Sequence, residues 1–123
     1  MALVLCTDVD DTLLQARRLI LEGAGHHVVP AMDEKTLLAA CKKYSVDVAV
    51  IGRAISPNVK RRVELLIRQH CRGAKILEVY TPDEGKTLED ADASLASADL
   101  TRMLADRVQE LATQNKGRSS KRR

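Results

Sequence analysis

The chain alternates between short runs of consecutive apolar residues and longer stretches in which apolar residues recur every three or four positions. Residues 2–6 are wholly apolar and end at polar Thr7 and Asp8, the pattern of a strand covered on both faces. From Thr12 to Gly23, Leu13, Leu14, Ala16, Leu19, Ile20 and Leu21 follow a helical period, with Arg17, Arg18 and Glu22 assigned to the opposite side. Gly23 and Gly25 supply a helix stop. His27-Val28-Val29 reads as a short strand ended by Pro30, and His26 and His27 read as solvated turn residues. Asp33 is placed to cap a helix over 34–44, and 47–51 reads as a third strand. Pro57-Asn58 opens a helix that ends near Gly73, with Val59, Val63, Leu65, Leu66 and Ile67 as its apolar residues. Residues 75–80 read as a fourth strand closed by Thr81-Pro82-Asp83, and an acid-rich loop leads to a weak strand over 93–95. Asp99 is placed to cap a last helix running to about Thr113.

Alternating strands and helices predict an α/β domain: a five-stranded parallel sheet with helices on both faces. Ligands of such sheets bind beyond the carboxyl ends of the strands. Asp8, Gly52, Thr81 and Ser97 all fall at or near such ends, so they are expected to converge.

Composition narrows the picture further. One domain over residues 1–114 accounts for the apolar pattern, and residues 115–123 read as a disordered basic tail. The formal net charge of +3 is due to Lys116, Arg118, Lys121, Arg122 and Arg123, for without them 15 bases face 17 acids. A short basic run without aromatics supports no specific nucleic-acid binding. Lys42-Lys43 and Arg61-Arg62 read as exposed helix faces. With only Tyr44 and Tyr80 aromatic, the core must be aliphatic. Cys6, Cys41 and Cys71 stand in no ligand spacing and are expected as free, mostly buried thiols of a cytoplasmic protein. No signal peptide is apparent and no apolar run reaches the roughly 18 residues of a membrane span.

Three stretches over residues 2–113 carry a family resemblance: Leu3-Val4-Leu5-Cys6-Thr7-Asp8; residues 17–29, with Glu22-Gly23-Ala24-Gly25 before His26-His27-Val28-Val29; and Leu37-Leu38-Ala39-Ala40 leading into Val46-Asp47-Val48-Ala49-Val50-Ile51. In order and spacing, with 17 residues from Asp8 to Gly25 and 27 from Gly25 to Gly52, they resemble a response-regulator receiver domain, a flavodoxin-like fold of two-component signalling. The resemblance places the family's phosphoacceptor aspartate at Gly52. It places the acidic pair that helps hold Mg²⁺ at Asp8 and Val9, with Asp10 and Asp11 following. The hydroxyl residue is present as Thr81, the lysine falls at Ser97-Ala98, and the switch aromatic falls at Ser94.

Phosphoryl transfer to such a domain needs a carboxylate nucleophile, a divalent cation and a counter-cation for the acyl phosphate. The expected product of this sequence is therefore a stand-alone pseudo-receiver without enzymatic activity. Its vestigial pocket is Asp8, Asp10, Gly52, Thr81 and Ser97. Asp8 and Asp10 leave at most a weak Mg²⁺ site, and no other cofactor is implied. Receivers commonly pair through the last strand and last helix, so a protein partner or a second copy is expected there.

A rival motif overlaps the first strand end. Asp8-Val9-Asp10-Asp11-Thr12 also matches the DxDxT signature of haloacid-dehalogenase-like phosphatases, in which Asp8 would be the nucleophile and Asp10 the acid/base, with Thr81 as a second motif. Glu89, Asp90 and Asp92 precede the last strand instead of following a late apolar one, which speaks against it. The plainer reading of Asp10-Asp11-Thr12 is a helix cap.

Overall fold

The computed structural model describes residues 2–121, with side chains described through residue 114. Five strands, β1 (Leu3–Thr7), β2 (His27–Ala31), β3 (Val48–Ile51), β4 (Lys75–Tyr80) and β5 (Ala93–Ala96), form one parallel sheet in the order β2-β1-β3-β4-β5. The helices are α1 (Asp11–Gly23), α2 (Glu34–Lys43), α3 (Pro57–His70) and α4 (Leu100–Lys121). Helices α2 and α3 cover one face of the sheet over a core that includes Leu37, Ile51, Ile67 and Ile76. Helices α1 and α4 cover the other over Leu14, Val50, Leu77 and Leu104. The last helix, expected to end at about Thr113 before a tail without structure from residue 115, continues to Lys121, and the side chains after residue 114 and residues 122–123 lie outside the described residues.

The start signals are where the sequence places them. Asp10 caps α1 by accepting the Leu13 N–H at 3.2 Å. Asp33 accepts the Thr36 N–H at 2.8 Å while the Thr36 hydroxyl accepts the Asp33 N–H, a reciprocal cap on α2. Asp99 differs, because a 3-10 turn (Ser97–Asp99) runs directly into α4 and the Asp99 carboxylate accepts from Arg102.

Pro30 continues β2 instead of ending it. The His27 N–H donates to Ala2 O, and Ala31 O accepts from the Asp8 N–H. Alternation then turns Val28 and Pro30 toward the open side of this edge strand, where a missing N–H breaks no ladder bond. Between β4 and β5, a crossover that usually holds a helix, the chain makes a turn at Thr81–Gly85 and runs on without one.

The cysteine expectation is corrected. Cys41, near the end of α2, and Cys71, just after α3, form a disulfide with Cα atoms 4.9 Å apart, and only Cys6 is free. The C-terminal ends of α2 and α3, which run side by side in the same direction on one face of the sheet, bring together residues 30 apart in sequence. The ground that free thiols gave for a reducing compartment falls with it.

His26 is likewise buried, not solvated: its Nδ1 accepts the Ala2 N–H at 3.1 Å. His27 is exposed as expected. Burial pushes the His26 imidazole below its ordinary 6.5, against a backbone hydrogen bond at Ala105 that works the other way. The unfolded chain therefore binds the extra proton first, so this contribution to stability is complete above pH 6.5 and is lost as pH falls through the lower folded value. Urea midpoints are expected to decline from pH 7 toward pH 5, and His26→Gln to flatten that part of the decline.

Candidate functional site

Four strands end in a row on the same side of the sheet, and each is followed at once by a residue of the expected pocket. Asp8 follows β1, Gly52 follows β3, Thr81 follows β4 and Ser97 follows β5. The order β1-β3-β4-β5 sets these positions side by side across the carboxyl edge. The Gly52 N–H donates to Thr7 O at 2.9 Å, tying the first two ends together.

At the centre is an ion pair whose α1 member has the spacing of a core residue. Arg17 stands three residues after Leu14 and four before Leu21, so it shares their sheet-facing stripe, and all three are buried. Placing Arg17 with Arg18 and Glu22 on the outer side is therefore corrected. Its Nη1 lies 2.6 Å from Asp8 Oδ2, with 2% and 0% of the two side chains exposed. Asp8 Oδ1 accepts the Val9 N–H at 2.8 Å. Arg17 Nε and Nη2 are buried without a protein acceptor. Removing one member of such a pair leaves a buried charge uncompensated, at a cost of roughly 3–5 kcal/mol.

Gly52 is the third member of this arrangement. A Cβ built on it would overlap the Asp8 carboxylate and come within 2.6 Å of Arg17 Nη1. The pair fills the space that any side chain at position 52 would enter. Beside it, burial drives the Cys6 thiol up to about 12 despite the Arg17 charge, which leaves an inert sulfur.

The remaining expected residues are engaged separately. The Asp10 carboxylate is exposed and occupied as the α1 cap. The Thr81 hydroxyl donates to Glu84 Oε1 at 2.9 Å, within the turn that follows β4. Ser97 opens the 3-10 turn, and Ser94 lies inside β5. This donor set does not fit a divalent cation. A guanidinium lies against Asp8, and Asp10 faces a helix N-terminus. Among the described residues, no group of three His, Cys, Asp or Glu is placed to hold a metal.

A second buried pair was missed by the sequence reading. Glu78, in the middle of β4, accepts from Lys60 Nζ of α3 at 2.9 Å, and the same ammonium donates to Val79 O at 2.9 Å. Glu78 also accepts the N–H groups of Thr87 and Leu88 at 2.8 and 2.9 Å. These bonds hold the helix-free crossover against the sheet. The available signal was a carboxylate inside an otherwise apolar central strand, which must find partners.

No family model matches the chain, and no curated protein matches it. Solved structures do. A CheY-like receiver domain from Methanospirillum hungatei is 20% identical, with 96% of this chain and 98% of that one covered at a TM-score of 0.79. The receiver domain of a LuxO-type repressor from Vibrio parahaemolyticus is 10% identical, covering 96% and 95% at 0.80. The receiver domain of a sensor histidine kinase from Pseudomonas aeruginosa, which holds a magnesium ion in its active-site cleft, is 14% identical, covering 91% and 98% at 0.72. No helix of the described residues is long and apolar enough to cross a membrane. The chain thus has the flavodoxin-like fold of the response-regulator receiver domains.

Proposed function

We propose that this chain is a pseudo-receiver of two-component or phosphorelay signalling, a non-enzymatic module that acts through protein contacts and is not phosphorylated on aspartate. The observation that carries this reading is the filled pocket. Position 52 has no carboxylate, and a buried guanidinium already neutralises Asp8 where an acyl phosphate and its cation would have to stand. Neither Mg²⁺ nor another cofactor is part of the proposal. The surface proposed for pairing with a partner or a second copy is that of β5 and α4, and the proposed location is the cytoplasm. A phosphohydrolase would need Asp8 free to attack and Asp10 free to move a proton, and both carboxylates are occupied.

Incubation with acetyl phosphate and Mg²⁺ tests it, followed by intact-mass analysis and an assay of inorganic phosphate. No adduct and no turnover are expected. Turnover abolished by Asp8→Asn, or a phosphoryl adduct on the unaltered chain, would overturn the reading.

A further inference from the structure

The Cys41–Cys71 bridge lies at the rim of the core, where its two residues are 8% and 6% exposed. Lys42 and Lys43, which follow Cys41, are exposed, and so are His70 and Arg72 on either side of Cys71. The backbone at this corner is closed by the last turn of each helix. The Tyr44 N–H donates to Ala40 O at 2.9 Å, the Cys71 N–H to Ile67 O at 2.8 Å and the Ala74 N–H to Cys71 O at 3.1 Å. Gly73, exposed and at a φ of +85°, carries the chain from α3 into β4. A corner of this kind opens locally, without unfolding of the sheet beneath it.

A groove of about 230 Å³ opens beside the bridge, lined by Cys71 with Arg68, Gly73, Ala74, Lys75 and Asp92. Arg68 and Lys75 both face Asp92, at 3.5 and 4.0 Å, so a thiolate entering the groove meets no unpaired carboxylate there. Cys6 takes no part in exchange. It belongs to the core under α1 and α4, whereas Cys41 and Cys71 belong to the core under α2 and α3, on the other face of the sheet. Burial also denies Cys6 the thiolate form that exchange requires. The chain therefore has one pair of sulfurs that can be joined or parted.

We propose that Cys41–Cys71 is a thiol–disulfide switch of the folded protein, opened by a dithiol reductant that attacks Cys71 from this groove and closed again by a small disulfide. A thiolate of the reductant bonds to Cys71 Sγ as the Cys41–Cys71 bond breaks, and the electron pair leaves on Cys41 Sγ, which takes a proton. The second thiol of the reductant then attacks its own sulfur in the mixed disulfide and releases Cys71. Two electrons and two protons have passed to the chain, and the reductant departs as a disulfide. Opening frees the segments 42–47 and 72–74, which lead into β3 and β4 at the amino edge of the sheet. Asp8 and Gly52 lie at the carboxyl edge, so the inference does not rest on the proposed function.

The test is reduction of the full chain by dithiothreitol, followed by alkylation with intact-mass analysis and by amide NMR. The rate is expected to rise in proportion to reductant and to change less than about twofold between water and about 1 M urea, because local opening exposes little surface. Reduction through global unfolding would instead quicken about fivefold or more over that range. The dithiol form should stay folded, with amide signals of residues 41–47 and 71–75 displaced and those of Asp8 and Gly52 in place. Oxidised glutathione should then restore the original spectrum. In the single variants, glutathione should add to Cys71 of Cys41→Ser at least about tenfold faster than to Cys41 of Cys71→Ser. Four results would overturn the proposal: a rate that ignores reductant concentration or follows global unfolding, an unfolded dithiol form, failure of oxidised glutathione to close the bridge, or faster addition at Cys41. None of them bears on whether the chain accepts a phosphoryl group.

Discussion

Replacing Gly52 by alanine is expected to lower stability by about 3 kcal/mol or more, an unusually large cost for adding one methyl group. The added Cβ overlaps the Asp8 carboxylate and crowds Arg17 Nη1. Either group can retreat only by giving up an ion pair that water does not reach. Gly52→Asp should be worse still, since it adds a second carboxylate to a site built for one. It is therefore not expected to restore phosphorylation.

A double variant distinguishes the two causes more sharply. Asp8→Ala alone strands the Arg17 charge, and Gly52→Asp alone overfills the site. Together they move the carboxylate from the end of β1 to the end of β3 and return a partner to Arg17. The double variant should be more stable than either single one, a coupling of opposite sign to simple accumulation of damage. Urea midpoints of the four proteins decide it. An alanine variant as stable as the parent, or additive losses around the cycle, would mean that Gly52 and the ion pair are unconnected.

The second large effect concerns the Cys41–Cys71 bridge. Closing a loop of 30 residues removes unfolded-state freedom equivalent to about 3.6 kcal/mol in the chain-entropy description. Reduction, or the double change Cys41→Ala and Cys71→Ala, is expected to lower the urea midpoint accordingly while leaving the far-ultraviolet spectrum of the folded state in place. Cys6 should not interfere, because its thiol is buried and its proton tightly held. Equal midpoints in oxidised and reduced protein would refute the expectation.

Local chemistry made most of the architecture legible. Asp10 and Asp33 announced two helices by the side-chain geometry of a cap, and the apolar run of β4 could be bounded to the residue because polar Thr81 follows it. The alternation of strands and helices then implied a common carboxyl edge, which is where Asp8 and Gly52 meet. What stayed hidden depends on pairings across the fold. Arg17 has the spacing of a core residue but the charge of a surface one, and only Asp8 in the neighbouring strand end resolves the conflict. Lys60 and Glu78 conceal each other in the same way. The disulfide depends on how two helix ends pack, which no spacing of cysteines encodes.

Pro30 has a consequence for how copies of this protein can join. A sheet that grows by adding strands needs an acceptor margin on both sides, one to attach by and one to offer onward. Of the outward positions of β2, Val28 and Pro30, the proline supplies no N–H, so a strand added at that margin would lose a ladder bond. The β5 margin holds no proline, so it is the better of the two for main-chain pairing. Two copies that met there would leave only the proline-weakened β2 margins outward, which disfavours further growth of the sheet.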